Sequence, residues 1–436
     1  MKLKKDFVQI SVNKFFLYLF FFILLLNCSL SKKETSILDI ETKSIFKTIK
    51  PIDKELNPNL NIQIHKLTKG KPFLRNNSNN SGNMNFETNF DNLSLFKFKK
   101  IDQFDFNQPE LLFTENGSFI FFNGKGTIFN INDDLKEIWE VNHYTKKERK
   151  LNPILYFAQN GKNLIVIDSL SKLYSLNLNN GELVWNKNNQ AQFNSNIKIF
   201  KDRFMAIDFD NVIRCFSIED GREIWSFETE DSFIKSQKKL SLVLKGEVVY
   251  FINNLGDVTA LNINDGSLIW QTPTQSNVIY QNAFSLENSD LVFANNSIYF
   301  SNNKNEIFSI DSKSGIIKWK QTVNSSLRPT IIENFIFSIS EKGYIFILDD
   351  ETGSIIRITN ALKNIKDKKN KIKPTGFVIA RNKIYLSLSN GRLVKIDVLT
   401  GLQESIYKIH GSKISRPYVF NGNMYLIKSN AIIKSN

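Results

Sequence analysis

Three histidines and two cysteines are the residues best suited to metal or nucleophilic chemistry in this 436-residue chain, and their spacing argues against both. His65, His143 and His410 lie far apart with no pair at ligand spacing, so each is expected on a surface or in a loop. Cys28 and Cys215 provide no disulfide framework unless they pair with each other. Cys215 falls in an alternating, strand-type run, where a small thiol reads as a buried and inert one. No G-x-S-x-G, H-E-x-x-H or P-loop occurs, and Gly124-Lys125-Gly126 reads as a turn between strands rather than a phosphate cradle. The chain is expected to hold no catalytic site, no metal and no cofactor.

Cys28 is the one residue whose neighbours specify chemistry. Lys2, Lys4, Lys5 and Lys14 precede an unbroken apolar run at 15–26. As a helix that run would span roughly 18 Å, too short for a hydrocarbon core about 30 Å thick but of signal-peptide length. It ends Leu25-Leu26-Asn27-Cys28-Ser29, which resembles a bacterial lipobox, although Asn27 stands where Gly, Ala or Ser is usual. The resemblance implies that residues 1–27 are a signal peptide, that Cys28 is lipidated on sulfur, and that Ser29 directs the protein to the outer membrane. Ordinary cleavage or a retained anchor is the alternative. Residues 28–91 are rich in Asn, Lys, Ser and Thr, with NNSNNSGNMN at 76–85. Such composition buries little, so a loosely ordered tether is expected, with local order possible at 45–52 and 60–67.

The elements that would position any site come from a repeat. Residues 256–270 read GDVTALNINDGSLIW, and the same sentence recurs as SKLYSLNLNNGELVW at 171–185, NVIRCFSIEDGREIW at 211–225 and NEIFSIDSKSGIIKW at 305–319. Copies at 343–357 and 391–405 keep the Gly and lose the Trp; the copy at 126–139 keeps the Trp but has a shorter turn without Gly. Each copy describes two antiparallel strands joined by a turn, and where the turn has its Gly that residue can take φ > 0. The anchors Leu135, Gly181, Gly221, Gly266, Gly315, Gly353 and Gly401 stand 38 to 49 residues apart. That is the spacing of four-stranded propeller blades.

The expected fold is therefore all-β, an eight-bladed β-propeller of four-stranded antiparallel blades over 92–436. The first blade reads as strands at 110–114, 118–122, 127–131 and 135–141. After the seventh anchor only three strands remain, at 417–420, 424–428 and 431–434, so 93–98 is expected to supply the fourth and remove exposed edges. A seven-bladed ring with a loose C-terminus is the alternative. Trp139, Trp185, Trp225, Trp270 and Trp319 are expected to wedge between consecutive blades, each contributing roughly 1.5–3 kcal/mol by burial. The slot before the second apolar residue of the repeat's first strand is small in most copies, as at Asn130, Ser175, Cys215, Ala260 and Ser309, which suggests close approach of a neighbouring blade.

The phrases Ala260-Leu261-Asn262, Ile310-Asp311 and Ile396-Asp397, each followed by a turn Gly, resemble the PQQ-type β-propeller repeat. Together with the signal segment, Cys28-Ser29-Leu30, the tether and about eight blades, they resemble the BamB family of outer-membrane assembly lipoproteins. The resemblance implies a non-catalytic scaffold, lipid-anchored at the periplasmic face of the outer membrane, whose partners are the barrel-forming subunit and unfolded outer-membrane proteins. It implies a monomeric propeller with no nucleic-acid partner. The family's contact with the barrel subunit resembles the stretch around Phe233, Ile234 and Lys235, with Asp257 in the next turn. The alternative is a periplasmic quinoprotein or sugar-linked enzyme. Quinoproteins with this repeat carry a vicinal cysteine pair, a Ca²⁺ site and a catalytic Asp, and no adjacent cysteines occur here.

The net charge is +14, or +11 without residues 1–27. Export argues against nucleic acid as the destination for that charge. The densest basic stretch, KNIKDKKNKIK at 363–373, reads as a solvated loop or as a contact for anionic head groups or an acidic partner, weakened by salt.

Overall fold

Strand-type alternation and turn glycines recur through most of the chain, and a computed structural model shows what they build. It describes residues 54–55, 62–68, 73, 76–88, 90–101, 104, 109–230, 238–275, 286–366 and 371–435, all within the compact unit Ile52–Asn436. The signal segment and Cys28 lie outside the described residues, as do Phe233, Ile234 and Lys235.

Eight antiparallel sheets of four repeat-derived strands form an eight-bladed propeller. The blade containing the clearest repeat is built from Leu242–Lys245, Val248–Ile252, Val258–Asn262 and Leu268–Thr272, in that order from the inside outwards. First strands of neighbouring blades contact one another around the axis, and fourth strands carry the exposed residues. The first blade comprises Leu112–Phe113, Phe119–Phe122, Ile128–Ile131 and Glu137–Val141. The last comprises Tyr418–Phe420, Asn423–Lys428 and Ala431–Ser435, with Leu93–Lys97 pairing antiparallel to Ala431–Ser435 as its outer strand. The ring is thus closed by both ends of the chain, and a seven-bladed arrangement is ruled out.

Because each sheet is apolar on both faces, no single core exists. Separate hydrophobic clusters fill the gaps between successive blades. The closing gap is an aromatic one, where Phe113 stacks on Phe420 with ring centroids 4.4 Å apart and Phe119 meets Tyr425 at 5.3 Å.

The Gly and Trp of the repeat meet across these gaps. Trp270 Nε1 donates to the Ser312 carbonyl of the following blade (3.0 Å), and Trp139, Trp185, Trp225 and Trp319 make the equivalent bond at 2.8–2.9 Å. The turn Gly of the next repeat lies flat on the indole: a Cβ on Gly315 would stand 2.6 Å from the Trp270 ring. The small slot has a different cause from the one expected. Asn130, Ser175, Cys215, Ala260 and Ser309 are direct cross-strand partners of the five tryptophans, next to a β-bulge, so they make room for the indole of their own blade. Where Arg357 replaces the Trp, the slot holds Ile347 instead. Arg357 Nη1 reaches the Val398 and Leu399 carbonyls at 3.2 and 2.6 Å, taking over the indole's donor role. Arg357→Ala is expected to cost about 1–2 kcal/mol in urea denaturation, because two carbonyls lose their donor.

The Asn-rich run differs most from its expectation as loose tether. Residues 76–88 form a strap across the axial channel, with Asn79, Ser81, Asn83, Met84 and Phe86 all buried. The inner edge of a propeller blade presents unpaired peptide groups to the channel, and an asparagine amide matches a peptide group donor for donor. Asn79 Nδ2 donates to the carbonyls of Leu242 and Leu291, at 3.3 and 2.9 Å. The Leu244 and Phe293 N–H groups donate to the Asn77 and Ser78 carbonyls. Asn80 exchanges both bonds with Ile331, and Asn83–Met84 joins the seventh blade as a parallel fifth strand beside Ile379 and Ala380. Residues 62–68 also pack on the ring, burying Ile62 and Ile64 between the sixth and seventh blades.

Candidate functional site

The strap bonds along the inner strands at Leu242, Leu244, Leu291, Phe293 and Ile331, and the lead-ins to the inner strands line one mouth of the channel. There, two residues before the inner-strand position that pairs with the middle of the second strand, five blades place Glu110, Tyr156, Asp290, Arg328 and Arg416 at one level. Arg328 Nε donates to Asp290 Oδ2 at 2.7 Å, and its Nη2 contacts the same carboxylate and lies 3.6 Å from Glu110. Lys239 Nζ sits 2.9 Å from Glu110. Burial alone would raise both carboxylates, but the cations around them win: Asp290 is held far below the usual range by Arg328 and Lys239, and Glu110 is lowered by Lys239 and Arg328. The Glu110 side chain is still 44% exposed, so the mouth is open to water.

Deeper in the channel Lys198 donates to Asn79 Oδ1 at 2.6 Å and to the Asn76 carbonyl, fastening the strap to the third blade. Burial, then the positive charge of Arg328, pushes its ammonium down to about 7. Lys238, which donates to the Ser326 carbonyl, is likewise pushed down to about 8 by burial.

The other candidates are separated. His65 lies at the Glu333 turn, 3.7 Å from that carboxylate; His143 packs edge-on to Tyr174; His410 contacts Ser412 and Lys428. Cys215 is fully buried opposite Trp225, and burial pushes its thiol up to about 12, which leaves it unreactive. Asp257 is 3% exposed, with its N–H bonded to Asn253 Oδ1. Among the described residues no group of three or more His, Cys, Asp or Glu is placed to hold a metal ion. The two mouth carboxylates are committed to Arg328 and Lys239. This donor set does not fit a calcium-bound quinone.

The mouth residues went unread in the sequence, although a signal existed. Arg328-Pro329 and Arg416-Pro417 share a dipeptide immediately before two inner strands. A second buried group missed by sequence is structural: Tyr144 Oη donates to Asp168 Oδ2 at 2.5 Å, while Asp168 Oδ1 accepts from the N–H groups of Leu170 and Lys172.

The outer strands are the remaining accessible feature. Leu268 and Ile269 are about half exposed just before Trp270, and Leu183, Val184 and Ile224 stand exposed at the same place on neighbouring blades. Among the described residues only the sixth blade's outer strand has a further partner, where Lys54–Glu55 pairs antiparallel with Ile358 and Arg357.

The profile of the family described as outer membrane protein assembly factor BamB matches residues 124–359, just over half of the chain. The chain belongs to this family. Compared with curated protein sequences, it matches none. Among solved structures it is similar to BamB from Moraxella catarrhalis, at 14% identity and a TM-score of 0.63, covering 79% of this chain and 100% of that one. It is also similar to the quinohemoprotein alcohol dehydrogenase from Comamonas testosteroni, at 9% identity and a TM-score of 0.61, covering 81% and 78%. A computationally designed protein, Ika8, matches at 12% identity and a TM-score of 0.57, covering 76% and 98%. At such identities these structures share the fold, and the BamB profile is what carries family membership. Among the described residues no helix is long and apolar enough to cross a membrane.

Proposed function

We propose that this BamB-family chain is a non-catalytic scaffold of outer-membrane β-barrel assembly, held at the periplasmic face of the outer membrane by a lipid on Cys28. The observation that carries the reading is the set of outer strands with exposed aliphatic side chains and, among the described residues, backbone edges without a further partner, save the one that accepts Lys54–Glu55 as an added antiparallel strand. An extended, β-rich client segment pairs with such an edge through main-chain hydrogen bonds and sets its alternate side chains on the aliphatic ones. Family membership supports the barrel-forming subunit as the second partner, with Phe233, Ile234 and Lys235 as its contact; the turn at Asp257, buried in its blade, is left out of that surface. An enzyme reading has only the shared fold behind it.

A pull-down from gently solubilised membranes tests both contacts. Leu268→Lys with Ile269→Lys is expected to leave the melting temperature within a few degrees and to reduce recovered unfolded clients several-fold. Ile234→Asp with Lys235→Glu is expected to abolish recovery of the barrel subunit. Unchanged recovery in both variants removes the scaffold reading, and a quinone absorbance with stoichiometric calcium in the purified protein would replace it with the enzyme.

A further inference from the structure

The channel mouth carries more positive than negative charge, and the imbalance has an address. Its two carboxylates, Glu110 and Asp290, are taken up by Lys239 and Arg328. Lys198 is bonded to the strap and Lys238 to the Ser326 carbonyl. Arg416 is the cation left over. Among the described residues no carboxylate lies within ion-pair distance of its guanidinium, and its Nε is buried without a hydrogen-bond partner. Its guanidinium carbon stands 5.3 Å from the Tyr418 ring centroid and 5.6 Å from that of Phe73, so the fork is held by aromatic faces instead of by an acid.

A buried guanidinium donor without an acceptor is costly, and a planar fork matches a carboxylate with two parallel bonds. From this geometry we infer that the channel mouth is a carboxylate-binding site in which Arg416 supplies the bidentate contact and Arg328 and Lys239 add positive potential. Glu110, beside both of those cations, is a resident competitor for the same charge. The two resident carboxylates also raise the cost of placing two negative charges on the one bound group, which favours a carboxylate over a phosphate. The carboxylate comes either from an acidic peptide or from a free small acid; both present the same group to Arg416.

Fluorescence anisotropy with a labelled decapeptide containing two Glu residues, its Gln counterpart, and succinate as competitor tests the assignment on the full-length protein at low salt. Saturable binding of the Glu peptide is expected, at least tenfold tighter than the Gln peptide. Arg416→Gln should weaken it at least tenfold, Arg416→Lys should weaken it less, and Glu110→Gln should tighten it by releasing Lys239. Displacement by millimolar succinate assigns the site to free acids, and resistance to it assigns the site to peptides. The assignment fails if the Glu peptide shows no saturable binding, if the two peptides bind alike, or if Glu110→Gln leaves affinity unchanged. That last variant keeps the test decisive should Arg416→Gln melt at a much lower temperature.

Discussion

Replacing Gly315 with Val is expected to destabilise the ring by about 4 kcal/mol, as much as removing the indole beneath it. Gly315 has φ +74°, a left-handed conformation that costs an L-residue about 1–2 kcal/mol, and a β-branched residue at least that much. An added Cβ would also stand 2.6 Å from Trp270, which cannot retreat because its Nε1 is bonded to Ser312 and its ring packs near Tyr250 and the Phe293 cluster. Trp270→Ala should cost about 3–5 kcal/mol, as large aromatic truncations in a core do. The decisive measurement is the double-mutant cycle by urea denaturation. With the indole gone, Gly315→Val should cost only its backbone strain, about 1–2 kcal/mol, so the coupling should reach about 2 kcal/mol. Additive costs would mean that Gly and Trp are each retained for separate reasons and that the contact between blades is incidental.

This pairing explains how much of the fold could be read in advance. Gly and Trp recur four residues apart in four copies because each of those blades offers one to the blade before it and the other to the blade after it. Their period therefore reports a ring, and the count of strands after Gly401 points to Leu93–Lys97 as the missing one. The repeat also made Ser175 and Ala260 visible as small residues, but a linear pattern does not say which neighbour needs the space. Only the register shows each of them opposite the Trp of its own blade, and Ile347 opposite Arg357 shows the pair changing together.

The channel was not legible, for two different physical reasons. The run at 76–85 has the composition of a chain that cannot bury apolar surface, and it buries little: its order comes from hydrogen bonds to inner-strand edges more than a hundred residues away in sequence. A composition argument weighs hydrophobicity and is blind to unpaired peptide groups elsewhere in the fold. Glu110, Asp290, Arg328 and Arg416 sit in the irregular lead-in to their inner strands, where the repeat is weakest and the agreement among these four is limited to the Arg-Pro dipeptides at 328–329 and 416–417. Ring symmetry brings them to one level, and nothing local in the sequence does.

Stability should rise as the pH increases from 7 to 8, by about 1 kcal/mol, and Lys198 should be the reason. Burial, reinforced by Arg328 and Lys239 and only partly offset by Asp290 and Glu110, holds its folded-state value at about 7. In the unfolded chain the ammonium keeps its ordinary value near 10.4. Below pH 7 both states carry the proton and the slope vanishes. Between about 7 and 10.4 the unfolded chain binds a proton that the folded chain has shed, so raising the pH favours folding by up to about 1.4 kcal/mol per unit. Lys238, pushed down to about 8, adds to the slope mainly above that pH, so Lys198 supplies the larger share in the lower interval. A neutral amine still has two N–H groups for Asn79 Oδ1 and the Asn76 carbonyl, so the strap stays fastened as the proton leaves. Urea denaturation at pH 7 and 8 should show the gain in the natural sequence and lose most of it in Lys198→Met, whatever that variant's absolute stability. An equal slope in both would place the titrating group elsewhere and leave Lys198 charged in the channel, held by the Glu110 and Asp290 field more strongly than burial opposes it.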